Sequence, residues 1–213
     1  MSIGFGSSNY MRIGDPETLQ YSSLIFQTNG HTNAVNSLKL INDTHLASGS
    51  SDSTIKIWNF VQGSLELTIN TGSAVNVIEL LDNGLIAGGM SNSWTGIWCI
   101  NNGSLIATLK SHTDIVVSLK FLSNGDLATG SFDDRIIVWD LSTYGFKYSL
   151  MCSRNVNFLL QLPNTNLVSA LGGGGKEILI WDLTTKTLIA TLTGHTTRVK
   201  NLLEHNELQF LTT

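Results

Sequence analysis

Charge is scarce in this sequence. Asp, Glu, Lys and Arg make up 13% of its 213 residues, against roughly 25% in an ordinary globular protein. The formal net charge is −4. A phosphate-binding surface needs clustered Lys and Arg, so no nucleic-acid partner is expected. Cysteine occurs twice, as Cys99 and Cys152. That spacing fits neither a disulfide framework nor a zinc site, and no metal or cofactor is expected. No apolar run approaches the ~18 residues that a membrane-spanning helix needs. The start, MSIGFGS, has neither the basic nor the apolar region of a secretory leader. No membrane association is therefore expected, and the expected location is intracellular, in cytoplasm or nucleus. Missing too is any 3.6-residue apolar period long enough for a substantial helix.

What is present is repetition. Trp58, Trp98, Trp139 and Trp181 stand 40, 41 and 42 residues apart. Each ends a β-like run, such as Thr54-Ile-Lys-Ile-Trp58 or Ile136-Ile-Val-Trp139. A second run precedes it (Leu46-Ala-Ser-Gly-Ser50, Leu127-Ala-Thr-Gly-Ser131) and a third follows it (Ser64–Ile69, Ser104–Leu109). A fourth opens the unit, as in Ala34–Leu40, and turn triplets such as Asp82-Asn-Gly84 and Ser123-Asn-Gly125 separate the runs. Four short strands per ~40 residues predict the blades of a β-propeller.

On these residues the chain resembles the WD-repeat (WD40) family. Gly30-His31 and Gly194-His195 look like that family's Gly-His pair, and Trp139-Asp140 and Trp181-Asp182 like its Trp-Asp. The resemblance implies an all-β propeller of about five four-stranded blades in a single domain spanning 1–213. Repeats are expected near 30–69, 70–110, 111–151 and 152–193, with a closing blade split between 194–213 and 5–29. Two arrangements of the ends are open. Residues 10–15 could pair antiparallel with 208–213 to close a ring and remove two sheet edges, or the chain could be a fragment of a larger propeller.

His31, Ser48 and Asp52 suggest a catalytic triad at first sight. By resemblance they join Trp58 in a structural hydrogen-bonded tetrad, repeated as His112, Thr129, Asp133 and Trp139. A buried hydroxyl, imidazole, carboxylate and indole satisfy one another in such a chain, and an active site would not recur in two repeats. No catalytic residue is expected. Repeat 2 departs from the pattern (Thr71, Gly88, Asn92), as does repeat 4, with Cys152 at the His position and Leu171-Gly-Gly-Gly-Gly175 at the Asp turn. These two are expected to rely on apolar packing and backbone ladders. The glycine run before Lys176 is read as a hairpin, since Glu177 and a strand follow it.

The resemblance implies a protein-interaction scaffold. Its partner-facing positions would be Ala34, Asn36 and Ser51 in repeat 1 and Ala74, Asn76 and Ser91 in repeat 2. Repeat 3 gives Ile115, Val117 and Phe132, repeat 4 gives Asn155 and Asn157, and the closing blade gives Arg198 and Lys200. A small-molecule or glycan-binding propeller is the alternative and an enzyme a more distant one; the first would need aromatics in inter-blade pockets, and Trp94 alone among the five tryptophans has no repeat role.

Overall fold

The computed structural model of the protein describes residues 2–5, 11–14, 30–199, 202–204 and 210–212. Its elements are strands: β1 (Ser2–Phe5), β2 (Met11–Gly14), then four antiparallel meanders. Blade 1 is β3 (Val35–Leu40), β4 (His45–Ser50), β5 (Thr54–Asn59) and β6 (Ser64–Asn70). Blade 2 is β7 (Val75–Leu81), β8 (Leu85–Met90), β9 (Thr95–Cys99) and β10 (Leu105–Leu109), with a 3-10 turn at Asp82–Gly84. Blade 3 is β11 (Val116–Phe121), β12 (Leu127–Ser131), β13 (Arg135–Asp140) and β14 (Gly145–Met151). Blade 4 is β15 (Val156–Gln161), β16 (Leu167–Leu171), β17 (Ile178–Asp182) and β18 (Thr187–Leu192). β19 (Leu202–Glu204) and β20 (Phe210–Thr212) end the chain. The first strands neighbour one another in sequence order, so they form the inner side of the array.

Alternation along each strand gives every blade two apolar faces, and the core lies between blades. Ala47, Ile55, Ile57 and Ile69 on the trailing face of blade 1 meet Val75, Ile78, Ile86 and Trp98 on the leading face of blade 2. The same seam recurs between blades 2 and 3, around Trp139, and between blades 3 and 4, around Trp181. Trp98, Trp139 and Trp181 are thus each buried against the blade before, while Trp58 packs with Leu46, Phe60 and Leu38 of its own blade.

The ends differ from the closed ring. β1 pairs with β2 (Ile3 opposite Ile13) and β19 with β20 (Leu203 opposite Leu211), in two separate two-stranded sheets. Among the described residues no ladder joins β2 to β20, and the sheets do not close. Of the expected closing blade, residues 6–10, 15–29, 200, 201, 205–209 and 213, Lys200 among them, lie outside the described residues.

The inner edges are not left bare. In each blade the first strand bulges at one residue: Asn36, Asn76, Val117 and Asn157. The bulge turns that residue out of the ladder. Asn36 then donates to the carbonyl of Val75 at 2.8 Å, and Asn76 to that of Val116 at 3.2 Å. Deeper down the same strands, Ile78 donates its N–H to Ser37 Oγ at 3.1 Å and Phe121 to Glu79 Oε1 at 3.3 Å. Buried Glu79 also pairs with Lys39, so one carboxylate ties three blades together.

Candidate functional site

The polar chain of blade 1 begins at Trp58, whose indole N–H donates to Ser48 Oγ at 2.8 Å. His31 Nε2 lies 2.6 Å from that oxygen and Nδ1 lies 2.8 Å from Asp52 Oδ2. A carboxylate only accepts, so Nδ1 carries the proton, Nε2 accepts, and the Ser48 hydroxyl donates. Asp52 also takes the Thr32 N–H at 2.9 Å, and from Thr54 the N–H at 3.0 Å and the hydroxyl at 2.6 Å. Burial raises the Asp52 pKa, but the bonds from Thr54, Thr32 and His31 outweigh it and hold the carboxyl at about 2. Burial also lowers the His31 pKa by more than Asp52 raises it, which keeps the ring neutral.

Blade 3 builds the same chain: Trp139 to Thr129 at 3.0 Å, Thr129 to His112 Nε2 at 2.7 Å, and His112 Nδ1 to Asp133 Oδ2 at 2.9 Å. Arg135 adds a guanidinium bond to Asp133 at 2.9 Å and another to the Ser111 carbonyl at 3.0 Å. Ser48 has the His and Asp partners of a serine nucleophile, yet it is 3% exposed and beneath an indole. No substrate carbonyl can reach it, so the trio in place holds a strand turn rather than attacking a bond.

Blade 2 has no such chain. Thr71 bonds the carbonyls of Ser53 and Ser73, and no side-chain hydroxyl stands at Gly88. Trp98 instead lies across the backbone. A Cβ on Gly96 would come 2.1 Å from its Cη2, and one on Gly88 3.1 Å from its Cζ3. Blade 4 departs from the expectation of packing alone. Trp181 donates to Ser169 Oγ at 2.9 Å, and the half-buried Cys152 thiol bonds the same hydroxyl. Burial pushes that thiol up to about 12, so it stays protonated. Ser169 sits at the Ser/Thr position of its repeat; the Leu-x-Ser spacing shared with Leu46-Ala-Ser48 was the signal for it.

The expected partner-facing positions split into two groups. Ala34 is exposed, while Asn36 and Asn76 are engaged at the seams, backed by Ser51 at 2.8 Å and Ser91 at 3.1 Å. Ile115, Val117 and Phe132 are half-buried, and Phe132 N–H bonds the Ile115 carbonyl at 3.0 Å. Asn155 and Asn157 lie over the glycine turn of blade 4, and Arg198 is exposed. Trp94, in the second-to-third-strand turn of blade 2, is 39% exposed, and Nζ of Lys110, just past β10, sits 3.7 Å over its ring. A cavity of about 370 Å³ opens between blades 1 and 2 at the opposite end, with His45 and Glu66 paired at 3.0 Å on its wall. Its lining has no Trp, Tyr or Phe ring for stacking a sugar. Among the described residues no cluster of His, Cys, Asp and Glu could hold a metal, and no helix is long and apolar enough to cross a membrane.

The profile of the family described as "WD domain, G-beta repeat" matches residues 22–59 and 103–140. The chain carries WD40 repeats. The second match begins in the outer region of blade 2 and ends at Trp139-Asp140, so a WD40 repeat straddles two blades and links them covalently. Both matches end in the blades that hold the full polar chain. The chain is also 33% identical to "Nuclear distribution protein nudF" of Emericella nidulans, over 71% of this chain and 36% of that protein. It thus spans about a third of the relative's length. WD40 repeats as a class mediate protein–protein interaction.

Proposed function

We propose that this chain is a non-catalytic scaffold that takes a protein or peptide segment on the end of the array formed by the turns entering each first strand and the second-to-third-strand turns. The observation that carries the reading is the uneven surface at that end. Blades 1 and 2 present Ala34, Asn36, Asn76 and small polar neighbours. Blade 3 presents Ile115, Val117 and Phe132, each half-buried, with the Phe132 N–H on the Ile115 carbonyl, and blade 2 presents Trp94 under Lys110. Apolar clusters with an aromatic anchor mark interfaces. Arg154, Lys176 and Arg198 are exposed on the neighbouring turns and suit an acidic stretch of the same partner. Asn155, Asn157 and Lys200 complete the set. Binding takes place inside the cell, and no cofactor or metal takes part.

The test is affinity capture from the native cell with wild-type chain, Phe132→Ala and Arg198→Glu, with circular dichroism to establish that each variant is folded. Loss of the same specific partners in both variants is expected. Folded variants that recover every partner at wild-type levels overturn the reading.

A further inference from the structure

At two of the seams, the turn between the third and fourth strands of one blade reaches back onto the blade before. In blade 3 that turn ends in Tyr144, which joins the apolar core between blades 2 and 3. In blade 4 it ends in Lys186, whose Nζ lies 4.9 Å over the Tyr148 ring of blade 3. In blade 2 the same place is Gly103. All three have a left-handed backbone, with φ of 54° at Tyr144, 60° at Lys186 and 71° at Gly103. A Cβ on Gly103 would lie 3.4 Å from Ile69 Cγ1 and 3.6 Å from Leu67 Cδ1, so a side chain there would cross onto blade 1. Leu67 stands opposite Ile57 as Tyr148 stands opposite Val138, which makes it the counterpart of the tyrosine beneath Lys186. Glycine supplies no such cover, and the cavity of about 370 Å³ opens at this seam.

The cavity has an apolar side and an anionic side. Ile41, Ile57, Leu67 and Ile100 form the first. Their counterparts Leu122, Val138, Tyr148 and Leu183 pack together between blades 3 and 4. Asn42, His45, Glu66 and Asn101 form the second, and no Lys or Arg lines the cavity. His45 Nε2 lies 3.0 Å from Glu66 Oε2; a carboxylate only accepts, so Nε2 carries the proton and orients that oxygen. Among the described residues Glu66 Oε1 and the Asn101 side chain have no hydrogen-bond partner. In blade 3 the places of His45 and Glu66 are held by Asp126 and Lys147, paired at 2.7 Å. The seam between blades 3 and 4 therefore carries two ammonium groups of the chain itself, Lys147 and Lys186. The seam between blades 1 and 2 carries a carboxylate in place of one and a glycine in place of the other.

We propose that this cavity binds the side chain of a lysine presented by a partner protein. Its methylenes lie along Leu67 and Ile100, as a long cationic side chain covers apolar surface while its head stays polar. Its ammonium donates to Glu66 Oε1 and to the Asn101 side-chain carbonyl. The site lies at the end of the array opposite the partner face proposed above and does not depend on that face.

The probe is Nα-acetyl-lysine methylamide, titrated into the 15N-labelled full chain while backbone amide shifts are read. Saturable shifts at Glu66, Leu67 and Asn101 are expected, with half-saturation in the millimolar range. Glu66→Gln should weaken binding by roughly threefold to tenfold, between the worth of an exposed ion pair and that of a charge-assisted hydrogen bond. Gly103→Lys places in blade 2 the residue that blade 4 carries on the same backbone, and should abolish binding by covering the site from within. Glu177→Gln, in blade 4, should leave it unchanged. The same derivative acetylated at Nζ should give no saturable shifts at these residues. Binding that ignores both Glu66→Gln and Gly103→Lys, or equal binding of the Nζ-acetylated probe, overturns the proposal. Saturation by n-butylammonium but not by the lysine derivative overturns it as well, because the site would then take a free amine.

Discussion

Blades 2 and 3 share one backbone and hold their tryptophans in different ways. In blade 3 the indole of Trp139 heads a chain through Thr129, His112 and Asp133 to Arg135. In blade 2 the chain is absent, and Trp98 drops onto the bare backbone of Gly88 and Gly96. Blade 3 has Thr129 and Ile137 at those two places. The contrast extends down the sheet: Asp126 pairs with Lys147 at 2.7 Å in blade 3, where blade 2 has Leu85 and Ile106. A four-stranded ladder therefore tolerates either solution, the tryptophan N–H and its hydroxyl, imidazole and carboxylate being satisfied together or the last three being absent. Blade 4 lies between, with the Trp181–Ser169–Cys152 remnant and no carboxylate.

The largest expected effect is one that the two blades share. Trp139→Ala and Trp98→Ala should each lower stability by about 3–5 kcal/mol, because both rings fill an inter-blade seam. Urea unfolding measures both. A much smaller loss at Trp98 would show that the two blades differ in packing and not only in their polar chain.

Next comes the contrast itself. Asp133→Ala leaves the His112 ring N–H, the Thr113 N–H and Arg135 without their acceptor, at a cost of about 1–3 kcal/mol. Asn92 stands at the same place in blade 2 and accepts only a 3.2 Å bond from Trp94 N–H in an exposed turn. Asn92→Ala should cost less than about 1 kcal/mol. Equal losses in parallel melts would remove the distinction between the blades.

Acid should separate them too. Burial lowers the His112 pKa by more than Asp133 raises it. The unfolded chain thus takes up a proton near pH 6.5 that the folded chain refuses, and stability falls as pH drops below that value. For Asp133, burial raises the pKa, but bonds from Thr113, His112 and Arg135 outweigh it and the net shift is downward. Its contribution is present above the unfolded value of about 3.9 and is lost as pH falls through the lower folded value. Thr71 and Asn92 do not titrate. Giving blade 3 their identities, as His112→Thr with Asp133→Asn, should flatten the fall in urea midpoint between pH 7 and pH 3. An unchanged fall would locate the acid sensitivity elsewhere.

The repeat architecture was legible because it depends on spacing: tryptophans about 40 residues apart predict where third strands lie, and β5, β9, β13 and β17 end at or one residue after them. Asn36 and Asn76 were harder to read. Their role depends on a bulge and on a carbonyl of the neighbouring blade 39 and 40 residues away, and nothing local in Val-Asn-Ser or Val-Asn-Val displays that. The arrangement of the ends was open for a related reason: residues 10–15 match a third strand, but nothing local in Ser2–Phe5 marks it as the strand that pairs with β2.

The smallest expected effect tests the bulge. Asn36 and Asn76 each fasten their blade to the next, but the bulged residue of blade 3 is Val117, which offers no donor to the Val156 carbonyl. The backbone is set for one, since the register shift between Val116 and Ser118 matches those at Asn36 and Asn76. Val117→Asn should therefore raise stability by about 0.5–1 kcal/mol, the net worth of one hydrogen bond. The same substitution puts a polar group into the apolar cluster assigned to partner binding, so captured partners should fall while the melting midpoint rises. Opposite movement of the two readouts is the outcome that separates seam from surface at this position. A variant that loses stability as well would show that Val117 packs with its neighbours in place of the fastening, and the seam between blades 3 and 4 would then be held by Leu122, Val156 and Trp181 without an asparagine.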